Sequence, residues 1–102
     1  MLFFVKKRFA DALADGTKKY ELRPDISRYK KLTQGKRICV NGRSYYRILK
    51  ITRFSSIEEV SKKIAPSLCG FKTSDEMKST WLELYPDNPS VLALLLEPYT
   101  KE

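Results

Sequence analysis

Apolar positions along the chain recur with two different periods, and each change of period marks the boundary of an element. Phe3-Phe4-Val5 reads as a short first strand. From about Lys7 to Ala14, Phe9 and Leu13 stand four apart on one face of a helix, and Gly16 is placed to end it in the left-handed conformation. Thr17 to Arg23 then switches to period two, with Lys18, Tyr20 and Leu22 on one side and Lys19, Glu21 and Arg23 on the other, until Pro24 stops the run. Asp25 stands as the N-cap of a further turn or two carrying Tyr29 and Leu32, closed by Gly35.

Two β-rich runs follow, Arg37 to Val40 and Ser44 to Phe54. Asn41-Gly42 between them accepts the positive φ of a type I′ turn, so the runs should pair as a hairpin. Ser56 and Glu59 form a capping box before a helix in which Ile57, Val60 and Ile64 share a face, and Pro66 forbids its continuation. After the loop "PSLCGFK", Thr73 and Glu76 form a second box ahead of Met77, Trp81 and Leu84, whose spacing is that of an inward-facing stripe ending at Tyr85-Pro86. Val91 to Leu96 is nearly all apolar, as a buried last strand is. The order β-α-β-(α)-β-β-α-α-β lacks the crossover helix after each strand that a doubly wound sheet needs. The expected class is α+β: a small mixed sheet curled into a β-barrel, with helices packed at its ends and side, as one domain over residues 1–102.

Composition narrows the chemistry. Met1 to Arg53 carries fifteen Lys/Arg against four Asp/Glu, whereas Phe54 to Glu102 carries five against eight. The first half is a cationic lobe, and an anionic partner, foremost nucleic acid, is what such a field attracts. An acidic protein is the alternative partner, and a solvated basic surface the plainer reading. There is no histidine, which removes Ser/His and Cys/His catalysis, and the two cysteines, Cys39 and Cys69, are too few for a disulfide framework or a zinc site. Neither a metal nor a cofactor is expected, and the cysteines read as reduced, buried thiols. No apolar run approaches the ~20 residues of a membrane span. The expectation is a cytoplasmic protein without a membrane partner, monomeric or weakly dimeric.

The stretch "GTKKYELRP" places Gly16, Lys18, Glu21 and Arg23 at the spacing GxKxxExR. This resembles the signature of the ASCH domains, a branch of the PUA-like superfamily. The likeness extends through the Gly35-Lys36 turn before the hairpin, the strand running into "FSSIEEV", the "LYP" after the last helix and the closing "VLALLLE". The resemblance implies a β-barrel beside a cleft lined by the signature residues, used by relatives to hold RNA or a modified nucleobase. On the residues alone, Glu21 and Arg23 lie two apart on one strand face, where a glutamate can orient a guanidinium toward a phosphate or base edge, or form no more than a stitching salt bridge. Lys18, at the turn into the strand, can reach the same cleft, and neither it nor Arg23 is expected to be a packing residue.

Cations interleave with aromatics around that cleft. Lys18, Lys19, Tyr20, Glu21, Arg23, Arg28, Lys30, Arg43, Tyr45 and Arg47 are the candidate RNA- or nucleotide-binding residues, offering phosphate anchors beside stacking faces. Among the tyrosines, which also include Tyr29 and Tyr46, at least two are expected in the core. Some bacterial ASCH proteins are amidohydrolases acting on N4-acetylcytidine, with a catalytic lysine, threonine and glutamate. Lys18 matches that lysine, but Glu21 stands at the threonine position and Gly70 near the glutamate position. Lys18 and Glu21 are accordingly the catalytic candidates if the chain is an enzyme, whether amidohydrolase or ribonuclease, and slow or absent deacetylation is expected.

Overall fold

The computed structural model describes residues 1–100. Its organising element is the last strand, β5 (Val91–Pro98), whose apolar run is explained by burial on both faces. Leu92, Leu94 and Leu96 enter one core cluster, with Phe3, Leu13, Tyr29, Leu32, Ile38, Val40, Tyr46 and Ile48. Val91 and Ala93 enter a second, with Phe54, Ile57, Val60, Ile64, Cys69, Met77 and Trp81. A strand with a core on each side has no polar face to alternate with, so its sequence reads as a continuous hydrophobic run.

The remaining elements follow from that placement. In chain order they are β1 (Leu2–Phe3), α1 (Lys7–Asp15), β2 (Tyr20–Pro24), β3 (Arg37–Val40), β4 (Ser44–Phe54), α2 (Ile57–Lys63) and α3 (Ser74–Leu84) before β5, with short 3-10 turns at Ser27–Tyr29 and Pro66–Cys69. The sheet order is β1-β3-β4-β5-β2, all antiparallel except the β1–β3 pair. Asn41 and Gly42 both have positive φ (54° and 70°), as the hairpin turn requires. The Asn41 side chain also exchanges two hydrogen bonds with the Val5 backbone, at 2.9 and 3.0 Å, and so pins the chain leaving β1. Ser56 and Thr73 cap α2 and α3 by accepting from the Glu59 and Glu76 amides.

Six expectations need correcting. The first strand is Leu2–Phe3 and not Phe3-Phe4-Val5, with Phe4 71% exposed beyond it, and Cys39 is half-buried where both thiols were expected to be buried. The five-stranded sheet is not closed into a barrel: β1 and β2 remain separate edges, because β1 has only two paired residues before the chain turns into α1. The strand expected from Thr17 begins at Tyr20, since the Lys19 amide donates to Leu68 O (2.8 Å) in the 3-10 turn and not to a strand. Asp25 caps nothing; it pairs with Arg53, and the turn after it starts at Ile26 without a side-chain cap. Leu84, expected in the stripe of Met77 and Trp81, is 62% exposed at the end of α3.

Candidate functional site

The open edge between β1 and β2 is spanned by a single side chain. Arg23 Nη2 donates to Phe4 O at 3.3 Å, just beyond β1, while its guanidinium lies 4.4 Å from the centre of the Phe3 ring. The same guanidinium donates twice to Glu21 Oε2, from Nε at 3.0 Å and from Nη2 at 2.6 Å, and Nη1 donates to the Tyr29 hydroxyl at 3.3 Å. Burial opposes the Arg23 charge, but Glu21 and the Tyr29 hydroxyl outweigh it and hold the pKa above its ordinary value.

Glu21 turns its other oxygen to Lys18. Nζ lies 3.1 Å from Glu21 Oε1 and also donates to Tyr20 O and to Cys69 O (2.9 Å). Two of the ammonium's protons thus go to backbone carbonyls while Glu21 faces its charge. Lys18 is 4% exposed and Glu21 8%, so both are interior residues, contrary to the expectation that Lys18 is free of packing. Gly70 makes the arrangement possible. Its φ of 89° ends the turn that brings Cys69 O to the lysine, and a Cβ there would stand 2.8 Å from Phe9 Cδ1 and 3.0 Å from Lys18 Cδ.

Above this floor lies a cleft of about 420 Å³. Phe9 and Phe71 pack at a 5.3 Å centroid distance and 59°. Trp81 and Tyr85, one turn apart at the end of α3, pack at 4.6 Å and 52°. All four line the cleft, as do Lys18, Glu21 and Arg23, and Phe4 and Leu84, 71% and 62% exposed, stand at its rim. The buried Trp81 Nε1 has no hydrogen-bond partner among the described residues. Burial raises the Tyr85 phenol's pKa despite the nearby Arg23 charge, so at neutral pH it keeps its proton as a donor. The thiol of Cys69, also at the cleft, is pushed up to about 11 by burial, which leaves it neutral and inert. Asp75 and Glu76 stay outside, paired with Lys78 and Arg8. Among the described residues no cluster of His, Cys, Asp and Glu could hold a metal, and no helix is long and apolar enough to cross a membrane.

Of the ten candidate residues, the cleft therefore gathers Lys18, Glu21 and Arg23. Lys19 is exposed beside the strand, and Tyr20 packs against the cluster around α2 and α3. Arg28 lies over the Tyr29 ring at 5.6 Å, and Lys30 is exposed beyond it. Arg43 sits in the hairpin turn, and Tyr45 and Arg47 point outward from β4, because Tyr46 and Ile48 take the inward positions. Tyr29 and Tyr46 are core residues. Sequence reasoning missed the walls. Trp81 was assigned to the core by its stripe, and it is 5% exposed, yet one edge borders the cleft; Phe9 and Phe71 lie 62 residues apart and carry no joint signal.

No protein-family profile matches the sequence, and no curated protein matches it. Solved structures do. The crystal structure of the hypothetical protein PH0355 superposes with a TM-score of 0.88 at 20% identity, over 96% of this chain and 97% of that one. The solution structure of protein PF0455 from Pyrococcus furiosus gives 0.78 at 20% identity, over 99% and 100%. A mutant of ZmASCH from Zymomonas mobilis gives 0.71 at 14% identity, over 97% of this chain and 72% of that one. The fold is that of these proteins, an ASCH structure among them, in agreement with the resemblance carried by Gly16, Lys18, Glu21 and Arg23.

Proposed function

We propose that this ASCH-fold protein is an RNA- or nucleotide-binding module whose cleft receives one planar base, and that it is a binder and not a hydrolase. The observation that carries the reading is the pairing of four aromatic walls with a polar floor in a space of about 420 Å³. A volume in the range of roughly 300–1,000 Å³, mostly apolar with a few fixed polar groups, suits a small planar ligand. The remaining Arg23 Nη1 proton is a donor without a protein acceptor, and Glu21 retains lone pairs, so a base edge would find complementary groups. Phe4 at the rim offers a stacking face for a neighbouring base, which favours a strand over a free nucleoside.

Hydrolysis finds less support. A catalytic amine needs a lone pair directed at substrate, whereas Lys18 donates to two backbone carbonyls and is ion-paired with Glu21. Gly70, near the position of the amidohydrolase glutamate, is occupied by the close approach of Phe9. Incubation with N4-acetylcytidine should release no acetate beyond the uncatalysed background.

The chain's one tryptophan supplies the direct test. Titration with nucleosides and with single-stranded oligoribonucleotides should quench Trp81 fluorescence saturably, and Phe4→Ala should weaken the oligonucleotide response while sparing the nucleoside response. A Trp81 signal that no nucleoside or oligonucleotide perturbs would end the cleft reading.

A further inference from the structure

The cations and tyrosine that the cleft does not gather meet elsewhere. On β3 and β4 the register pairs Arg37 with Arg47 and Cys39 with Tyr45, so these four side chains share the outer face of the sheet. β1 extends the row, pairing Leu2 with Cys39. Beyond the end of β5, the Tyr99 amide donates to Tyr45 O at 2.9 Å, which holds Tyr99 against the same face. Its ring centre is 5.2 Å from the Arg37 guanidinium and 5.0 Å from that of Arg47, and Arg37 Nη1 donates to its hydroxyl at 3.3 Å. A shallow hollow of about 380 Å³, bordered by Lys36, Arg37, Tyr45 and Tyr99, adjoins them.

Two features of this face leave it open to a ligand. Like charges directly opposite each other across a strand pair destabilise a sheet, yet Arg37 and Arg47 are so placed. Among the described residues the ion pairs are made by Lys7, Arg8, Lys18, Arg23, Arg53 and Lys78, and none by Lys36, Arg37, Arg43 or Arg47. Glu97 is Arg47's neighbour on β5 in register but forms no ion pair with it. Tyr45 is 45% exposed, so an aromatic face stands open beside the unpaired guanidiniums.

We propose that the outer face of β1, β3 and β4 is a second contact surface for single-stranded RNA, separate from the cleft, in which Arg37 and Arg47 clasp a backbone phosphate and Tyr45 and Tyr99 stack on bases. Adjacent guanidiniums suit phosphate because their forked donors match its oxygens. Exposed aromatics interleaved with them convert an anion site into a nucleic-acid platform, since each base brings a π-face and each linkage a charge. An acidic protein segment would satisfy the arginines but leave the tyrosine faces unused. None of Arg37, Tyr45, Arg47 or Tyr99 lines the cleft, so this surface stands or falls on its own.

The test uses the full chain, a fluorescent single-stranded oligouridylate and anisotropy at several salt concentrations. The double variant Arg37→Gln/Arg47→Gln should lose about tenfold or more in affinity, and its log–log salt slope should be shallower by about 0.7, the share of the one phosphate the two arginines clasp. Tyr99→Ala should lose affinity by about fivefold or more with the slope unchanged. In all three chains the Trp81 response to a mononucleoside should stay the same, and circular dichroism should confirm folding. If that response is absent but the variants still lose RNA, the cleft reading falls and the outer surface remains. Unchanged affinity and slope in the double variant would overturn the proposal. So would polyglutamate binding as tightly as RNA with Tyr99→Ala affecting neither, which would assign the face to an acidic protein.

Discussion

At the cleft floor, Lys18 and Arg23 share one carboxylate and are largely closed off from solvent; on the outer sheet face, Arg37 and Arg47 oppose one another with no carboxylate between them. The residue types are the same, and their surroundings are opposite. On the floor almost every proton has an acceptor within the protein, so charge has become part of the packing. On the outer face one Arg37 proton goes to the Tyr99 hydroxyl but neither arginine forms an ion pair, so charge is available to a ligand. Which cations belong to the fold and which to binding is therefore decided by the partners already in place and not by how basic a segment is.

The largest expected effect tests the floor. Lys18→Met keeps most of the volume but leaves Tyr20 O and Cys69 O without their donor and Glu21 with Arg23 alone. Breaking one partner out of a buried ion network costs about 3–5 kcal/mol, and urea unfolding should show a loss of that order. A loss below about 1 kcal/mol, the scale of an exposed pair, would place Lys18 with the uncommitted cations and dissolve the contrast.

Next in size is Gly70→Ala. The added Cβ meets Phe9 Cδ1 at 2.8 Å and the backbone must hold a φ of 89°, so overpacking and conformational strain act together, at about 1–3 kcal/mol. Because Phe9 is a wall of the cleft, the Trp81 response to nucleoside should weaken in the same variant. Nothing on the outer face should change, and an altered RNA salt slope would show the two regions to be coupled.

The sequence made the elements legible and the closure of the sheet illegible. The Asn41-Gly42 turn, the Ser56 and Thr73 N-caps and the doubly buried β5 rest on local chemistry and on runs of one residue class, which a sequence displays directly. Whether β1 meets β2 depends on how far a two-residue strand extends before α1, and on Arg23 filling the gap, which no periodicity encodes. The shift in register between Ile48 and Lys50 shows the same limit: inward positions Tyr46, Ile48 and Ile51 break the period of two, a signal present in the chain but hidden inside a uniformly β-rich run. In the site, the residues of the GxKxxExR spacing, Lys18, Glu21 and Arg23, stand together. Its burial was not legible, because two of the acceptors around Lys18 are backbone carbonyls, which have no sequence signature. Nor could the interleaving of tyrosine and arginine tell which side of the sheet each would take.

A pH dependence follows from the burial of Cys69. Cys69 borders the floor, where burial raises its thiol from 9.0 to about 11, whereas Cys39 lies half-buried on the outer face. The unfolded chain gives up the Cys69 proton first. The stabilising contribution is thus intact below pH 9, where both states hold the proton, and is lost as pH rises toward about 11. Stability should fall over that window, and Cys69→Ala should fall less steeply than the unaltered chain. Equal slopes would mean that the thiol is solvated and the floor more open than its geometry implies.

The smallest expected change is on the outer face, and there the sign carries the information. Arg47→Gln removes one of two opposed guanidiniums that make no ion pair, Glu97 being the acidic neighbour in register on β5, and its aliphatic stem is exposed, so little packing is lost. What does go is the contact with the Tyr99 ring at 5.0 Å, which at an exposed site is worth about 0.5–1 kcal/mol. Relief of repulsion across the strand pair is of similar size, about 0.2–1 kcal/mol, and opposite in sign. The two should nearly cancel at low salt. Added salt screens the repulsion in the unaltered chain, so the difference between the chains should drift toward destabilisation by the variant as ionic strength rises. Denaturant titrations at low and high salt read this directly. A variant that is clearly less stable already at low salt would mean that Arg47 is held by partners as Lys18 is, and the outer face would then belong to the fold and not to a ligand.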